Sequence, residues 1–138
     1  MRRLSLLLVL VLAGCAHAPQ GGKTQTLSLE EGQTGTLSNG GKITFANVVN
    51  ESRCPTGVQC VWAGTATVRF RLVPASGEPA ADVLAVLPGG IGKDDVANLL
   101  PVDTLGVSVT LAELVPYPEA NKEPGRRRAL VRVRPLAP

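Results

Sequence analysis

The sequence has almost no histidine, the side chain that most often serves as a general base in enzymes. Its single histidine, His17, lies two residues after Cys15 and before the first strand-like segment. Ser-His-Asp and Cys-His arrangements cannot be assembled from the rest of the chain. Adjacent carboxylates such as Glu30-Glu31 point apart in a strand or turn. We therefore expect no enzyme and no cofactor, with a carboxylate-dependent enzyme as a remaining alternative.

Ligands for metal ions are also scarce. Zinc would need thiolates or imidazoles beyond Cys54 and Cys60, and the chain after His17 has none to offer. One group of oxygen-bearing side chains lacks the spacing of a calcium loop, so turn and capping roles fit it better: Asp94, Asp95, Asn98 and Asp103. We expect no metal site.

Aromatic residues make up only 3% of the 138 residues, so the core must be built mainly from Val, Leu, Ile and Ala. The formal charge of +3 includes Arg2 and Arg3. Without the first 14 residues it falls to about +1, which gives no support for nucleic-acid binding. Short valine-rich segments separated by Gly and Pro are typical of an all-β domain.

No apolar run is long enough to span a bilayer, but a shorter one lies at the amino terminus. Arg2 and Arg3 precede the apolar stretch 4–12, which is shorter than the roughly 20 residues of a membrane-spanning helix. The stretch ends in Leu12-Ala13-Gly14-Cys15, which resembles the lipobox of bacterial lipoprotein signal peptides. The resemblance implies a diacylglyceryl thioether on Cys15, removal of residues 1–14 and acylation of the new amino terminus. An ordinary secretory signal cut after Ala16 or Ala18 is the alternative.

The lipobox resemblance also implies a location and a domain organisation. We expect a protein held in the cell envelope by membrane lipid. Because Ala16 rather than aspartate follows Cys15, the outer membrane facing the periplasm is favoured for a Gram-negative host. The predicted organisation is a signal peptide at 1–14, a lipidated cysteine and flexible tether at 15–23, and a β-sandwich domain at 24–138.

Alternation of apolar and polar residues predicts about seven strands. The clearest segment runs from Cys60 to Val73, with a bend at Gly64 and one apolar face formed by Ala66, Val68, Phe70 and Leu72. Asn39-Gly40 between two alternating segments predicts a hairpin, and 94–100 predicts one helical turn that Pro101 ends. The fold class is all-β, either a small Greek-key β-sandwich or an open barrel.

Cys54 and Cys60 are the cysteines that remain after lipidation of Cys15. A pair in an exported protein predicts a disulfide, and the C-x5-C spacing without a nearby histidine argues against redox catalysis. Pro55 and Gly57 allow the chain to reverse between them. We expect a pinned corner between two strands, with Trp62 packed near the bridge.

The segment Ser52-Arg53-Cys54-Pro55 followed by Cys60-Val61-Trp62-Ala63-Gly64 resembles the signature of a family of uncharacterised bacterial exported proteins and lipoproteins. The similarity extends over about residues 30–135 and includes the segment 109–118, which ends in Pro116-Tyr117-Pro118. The resemblance implies one compact domain and carries no activity, ligand or partner with it.

Arg126, Arg127 and Arg128 form the main charge cluster, and Tyr117 lies in a rigid proline-flanked segment. The arginines are either a solvated surface or a contact for an envelope protein or anionic lipid headgroups. We expect a monomeric binding or structural module that does not bind nucleic acid. The alternative is a periplasmic inhibitor of a hydrolase such as lysozyme or a protease, presenting the loop 52–60 or 116–128.

Overall fold

The structure, a computed structural model, describes residues 22–92 and 94–137. The predicted signal peptide, Cys15 and most of the tether lie outside these residues. Within the described residues there are eight strands and one 3₁₀ turn at Val96–Asn98: β1 Gln25–Glu30, β2 Thr34–Thr36, β3 Lys42–Glu51, β4 Thr65–Val73, β5 Ala81–Pro88, β6 Pro101–Thr104, β7 Val107–Val115 and β8 Arg128–Pro135.

The strands form two antiparallel four-stranded sheets, with the orders β1-β8-β7-β6 and β2-β3-β4-β5. Strands that are consecutive in the chain are neighbours around the molecule, since β1 also contacts β2 and β5 also contacts β6. The prediction of an all-β sandwich is confirmed. The prediction left a Greek-key sandwich and an open barrel as alternatives. Because consecutive strands are neighbours, the strand order is that of an open barrel, in which β1 is not paired with β2 and β5 is not paired with β6.

The core is aliphatic apart from two phenylalanines. Phe45 and Phe70 are fully buried, and their ring centroids lie 5.7 Å apart. The predicted inward faces of β3, β4, β7 and β8 are all buried between the sheets: Ile43 and Phe45; Ala66, Val68, Phe70 and Leu72; Val107, Val109 and Leu111; Ala129, Val131 and Val133. Both sheets and the whole core cluster lie within residues 25–135. This segment therefore has its own complete hydrophobic core, as a domain that folds independently does.

Two boundaries differ from the sequence prediction. β4 begins at Thr65 rather than Cys60, because Gly64 has a φ of 72° and turns the chain before the ladder starts. The eighth strand, β6, was not predicted. It is four residues long and begins with Pro101, which suits the edge of a sheet because proline lacks an N–H.

Two local predictions are confirmed. The Asn39-Gly40 turn joins β2 to β3, and Gly40 has a φ of 87°. The helical segment at 94–100 is a single 3₁₀ turn at Val96–Asn98, where the Asn98 amide donates to the Asp95 carboxylate at 3.0 Å.

The two ends of the sandwich carry different features. We call the end where the described chain enters at Gln25, beside Val133, the near end. At the far end β1 finishes at Glu30, β3 at Glu51 and β7 at Val115. The far end therefore carries the connections 52–64 and 116–127, and the connection 89–100 between β5 and β6 also begins there.

Candidate functional site

The first far-end loop, residues 52–64, is closed by the predicted disulfide. Cys54 and Cys60 are bonded, with Cα atoms 5.8 Å apart. In the chain-entropy description, closing a loop of about seven residues stabilises the fold by roughly 2 kcal/mol. The bridge restricts the tip of the loop without tying it to either sheet.

Backbone hydrogen bonds hold the base of the same loop. Ser52 N donates to Thr65 O at 2.8 Å, and Cys54 N donates to Ala63 O at 2.9 Å. Gly64 passes so close to the Ser52 carbonyl that a Cβ at position 64 would overlap its oxygen. The base is thus an extension of the β3–β4 ladder, and the tip projects beyond it.

The tip of this loop presents apolar side chains to solvent. Trp62 is 77% exposed and Val61 is fully exposed, and Val58 is also exposed. We call these three residues the apolar tip. The expectation that Trp62 packs near the bridge is wrong, since the loop leaves the sandwich at its end and neither sheet covers the indole.

The second far-end loop, residues 116–127, is joined to the first by backbone pairing. Thr56 forms a parallel bridge with Glu119. Thr56 N donates to Pro118 O at 3.0 Å, and Ala120 N donates to Thr56 O at 3.2 Å. The two loops, predicted separately as possible contact segments, therefore form one surface.

A buried arginine lies beneath this surface. Arg53 is only 4% exposed. Its guanidinium binds both carboxylate oxygens of Glu51, with Nε to Oε1 at 2.8 Å and Nη2 to Oε2 at 2.6 Å. Nη1 donates to the Leu114 carbonyl at 3.0 Å, and Cζ lies 4.7 Å from the centroid of the Tyr117 ring. Arg53 thus links β3, β7 and both far-end loops.

The three predicted arginines have different surroundings. Arg126 is exposed and pairs with Glu30 at 3.1 Å. Arg127 is largely buried, and its Nη1 lies 3.7 Å from Glu51 Oε2. Arg128 lies at the start of β8 and lines a surface depression together with Leu130. The structure brings all three arginines to one depression of about 340 Å³, which Glu30, Val115 and Pro116 also line. Of the three, Arg127 alone also lines a cavity with Tyr117.

Arg127 and Tyr117 line a cavity of about 480 Å³ under the 116–127 loop. Its walls combine prolines and charged side chains, among them Glu51, Pro116, Lys122 and Glu123. We call it the loop cavity. Sequence reasoning missed Glu51, which lines this cavity. It also missed Arg53, which binds Glu51 and lies within the Ser-Arg-Cys-Pro motif.

Two kinds of feature are absent from the described residues. Within 22–92 and 94–137 no three His, Cys, Asp or Glu residues are grouped so as to hold a metal ion. In the same ranges no helix is long and apolar enough to cross a membrane. The far-end loops therefore offer an apolar tip and a charged cavity, which are features suited to contact and binding.

Comparison with known proteins adds no relative to this description. No protein-family model, curated protein or solved structure matches the chain.

Proposed function

We propose that this protein is a lipid-anchored lipoprotein of the cell envelope that acts without catalysis, by binding a partner protein through its far-end loops. Membrane lipid attached at Cys15 holds it in place, and the outer membrane facing the periplasm is the favoured site. The protein works as a monomer, without a cofactor and without nucleic acid.

The exposure of the apolar tip carries the proposal. A tryptophan and two valines stand in water on a loop that a disulfide holds closed and backbone bonds hold against its neighbour. Tryptophan is enriched among the residues that dominate binding energy at protein interfaces. A loop ordered before binding loses less conformational entropy when a partner covers it.

The position of the tip supports a partner in the aqueous space rather than headgroups of the anchoring membrane. The chain enters the domain at the near end, ten residues after Cys15. β3 alone has ten residues and spans about 33 Å between the two ends. Attachment at the near end leaves the apolar tip, and with it Arg126, free to face away from that membrane.

The hydrolase-inhibitor alternative is a special case of this proposal in which the partner is an enzyme. The joined loops at 52–64 and 116–127 favour it, because a braced, projecting tip is the shape that enters a cleft. Inhibition of lysozymes or proteases at micromolar concentration would identify the partner as a hydrolase.

Replacing Val61 and Trp62 by serine tests the contact. Residues 22–138 carrying V61S and W62S should recover the specific partner from envelope extract at least about tenfold less than the wild-type segment, because truncating a tryptophan hot spot costs about 2 kcal/mol or more. Quantitative mass spectrometry of the captured proteins gives the measurement. L84S is the matched control, since Leu84 is also exposed but lies on β5. Equal recovery by the double variant and the wild type would refute the role of the tip.

The mass of the mature protein tests the anchor. Protein purified from membranes should begin at Cys15 and carry the added mass of its acyl chains, since two or three chains are needed for stable attachment. The C15S variant should leave the membrane fraction. A mature chain that begins after Ala16 or Ala18, or an unmodified thiol at residue 15, would show an ordinary secretory signal instead.

A further inference from the structure

A second cavity lies on the outer face of the sheet that contains β7 and β8, towards the near end. It has a volume of about 420 Å³, and its lining includes Arg132 and Arg134 of β8 and Ser108 and Thr110 of β7. The register places Arg134 opposite Ser108 and Arg132 opposite Thr110. Side chains at opposite positions of an antiparallel pair have Cβ atoms about 5 Å apart, so these four form one compact group. We call this space the near-end cavity.

Ser108 contributes a buried hydroxyl that the described residues leave without a partner. The residue is only 4% exposed, and within 22–92 and 94–137 its Oγ makes no hydrogen bond. The hydroxyl nevertheless opens into the near-end cavity, since Arg127 Nη1 is the only solvent-inaccessible side-chain polar atom without a partner in these ranges. A buried polar group in this position indicates a place for a partner from outside the chain.

The lining of the near-end cavity is positively charged. It includes two guanidinium groups and, among the described residues, no carboxylate. Arg134 forms no ion pair with any residue in the described ranges. Asp103 lies opposite Ser108 on β6, but it is exposed and outside the lining, so water screens its charge. The cavity therefore favours an anion.

We propose that the near-end cavity binds a phosphate group, held by the guanidinium groups of Arg132 and Arg134 and by the hydroxyl of Ser108. A tetrahedral phosphate offers at least three acceptor oxygens, enough for both arginines and the serine. A carboxylate has two oxygens, which a single guanidinium already satisfies. Ala97, Leu99 and Pro101 add an apolar wall, which suits the carbon-bearing part of a phosphate ester.

The place of the cavity gives the phosphate two sources. Thr24, which also lines the cavity, is nine residues after Cys15, and nine extended residues span at most about 30 Å. If Cys15 carries lipid, as proposed above, the cavity stays close to the membrane surface. The phosphate then belongs either to a lipid headgroup of that membrane or to a free phosphate ester. The site does not involve Val61 or Trp62, so failure of the far-end contact leaves it unaffected.

Titration of residues 22–138 with inorganic phosphate at constant ionic strength tests the site by NMR. We expect saturable shifts of the backbone amide signals of Ser108 and Thr110 and of the Arg134 Nε–H signal, with a dissociation constant of about 1 mM. Acetate should bind at least about tenfold more weakly, because it has one charge and two oxygens. Absence of saturable shifts, or acetate that binds as tightly as phosphate, would overturn the proposal.

Arginine variants make the test specific. R134M should reduce the affinity for phosphate at least about tenfold, and R134K, which keeps the charge but loses the planar fork, should fall between R134M and wild type. R128M is the matched control and should bind like wild type, since Arg128 lies on the same face of β8 at its other end, outside the cavity. Equal loss in R128M would reduce the effect to general charge attraction and contradict a site.

S108A separates a binding role of the hydroxyl from a structural one. It should weaken phosphate binding about threefold or more, the effect of one neutral hydrogen bond. It should not lower the urea midpoint of unfolding, because the hydroxyl has no partner in the described fold. A lower midpoint with unchanged affinity would contradict the proposed role of Ser108.

Sedimentation with phosphatidylglycerol vesicles distinguishes the two sources. If a headgroup supplies the phosphate, residues 22–138 should sediment with the vesicles, R134M should remain in the supernatant, and inorganic phosphate at about ten times its dissociation constant should release the wild type. If a free ester supplies it, the wild type remains in the supernatant while the NMR shifts persist. Sedimentation that R134M and R128M reduce equally would refute headgroup binding at this cavity.

Discussion

Replacing Glu51 by glutamine should lower the free energy of unfolding by about 3 to 5 kcal/mol, the range for breaking a buried ion pair from one side. The glutamine keeps the size of the side chain and removes its charge. Arg53, 4% exposed, would then lose its counter-charge and one of its two carboxylate acceptors, because the glutamine amide has a single oxygen and places an NH2 group against the guanidinium. The Leu114 carbonyl and the face of Tyr117 would remain as partners. Arg127 would lose its nearest carboxylate as well. Urea unfolding of residues 22–138 measures the difference.

An exposed ion pair of the same two residue types provides the control. E30Q removes the partner of Arg126, whose side chain is 78% exposed, and should cost less than about 1 kcal/mol. Replacing Glu51 and Arg53 together by leucine and methionine should restore part of the stability lost in E51Q, because the buried Arg53 charge is then removed along with its partner. The restoration should be partial, since Arg127 still loses Glu51. A Glu51→Gln variant as stable as E30Q would show that the Arg53 guanidinium does not need its carboxylate.

The interior of the sandwich was predictable because strand periodicity and burial coincide there. Ala66, Val68, Phe70 and Leu72 alternate with polar residues, and one sheet face covers all four. The Asn39-Gly40 turn and the Cys54–Cys60 pairing were also predictable. Each depends on residues close together in the sequence, and the preference of those residue types decides the outcome.

The far end was less predictable because its contacts join segments that are distant in the sequence. Arg53 is buried through the Leu114 carbonyl, 61 residues away, and through the ring of Tyr117. Nothing in the local pattern around Arg53 distinguishes it from a surface arginine. Trp62 shows the opposite error, because its apolar character suggested burial while the geometry of the loop places it in solvent.

The loop at 52–64 divides into a base that the fold requires and a tip that it does not. Ser52 holds the first residue of β4, since its hydroxyl donates to Thr65 O at 3.0 Å and accepts from Thr65 N at 3.1 Å. Arg53 joins the loop to β7, and Gly64 allows the two strands to approach. Val61 and Trp62 make no comparable contribution to the core. This division is why tip variants should affect binding while base variants affect stability.

Gly64→Ala is the base variant with the largest expected effect. Residue 64 has a φ of 72°, which disfavours any residue with a Cβ, and the new methyl group would overlap the Ser52 carbonyl oxygen. Relief of the overlap requires the Ser52–Thr65 pair to separate. We expect a loss of about 3 kcal/mol or more from strain and overpacking together, measured by urea unfolding.

Two other glycines separate the strain from the overlap. Gly57 has a φ of 89° and open space around it, so G57A should cost only about 1 to 2 kcal/mol, the penalty of the left-handed conformation. Gly89 has no positive φ, but a Cβ there would overlap Ala63 O, and G89A therefore measures the overlap alone. The cost of G64A should approach the sum of the other two. If G64A were no more destabilising than G57A, the close approach of Gly64 to Ser52 would not be a constraint of the fold, and the loop could move away from β3 without loss.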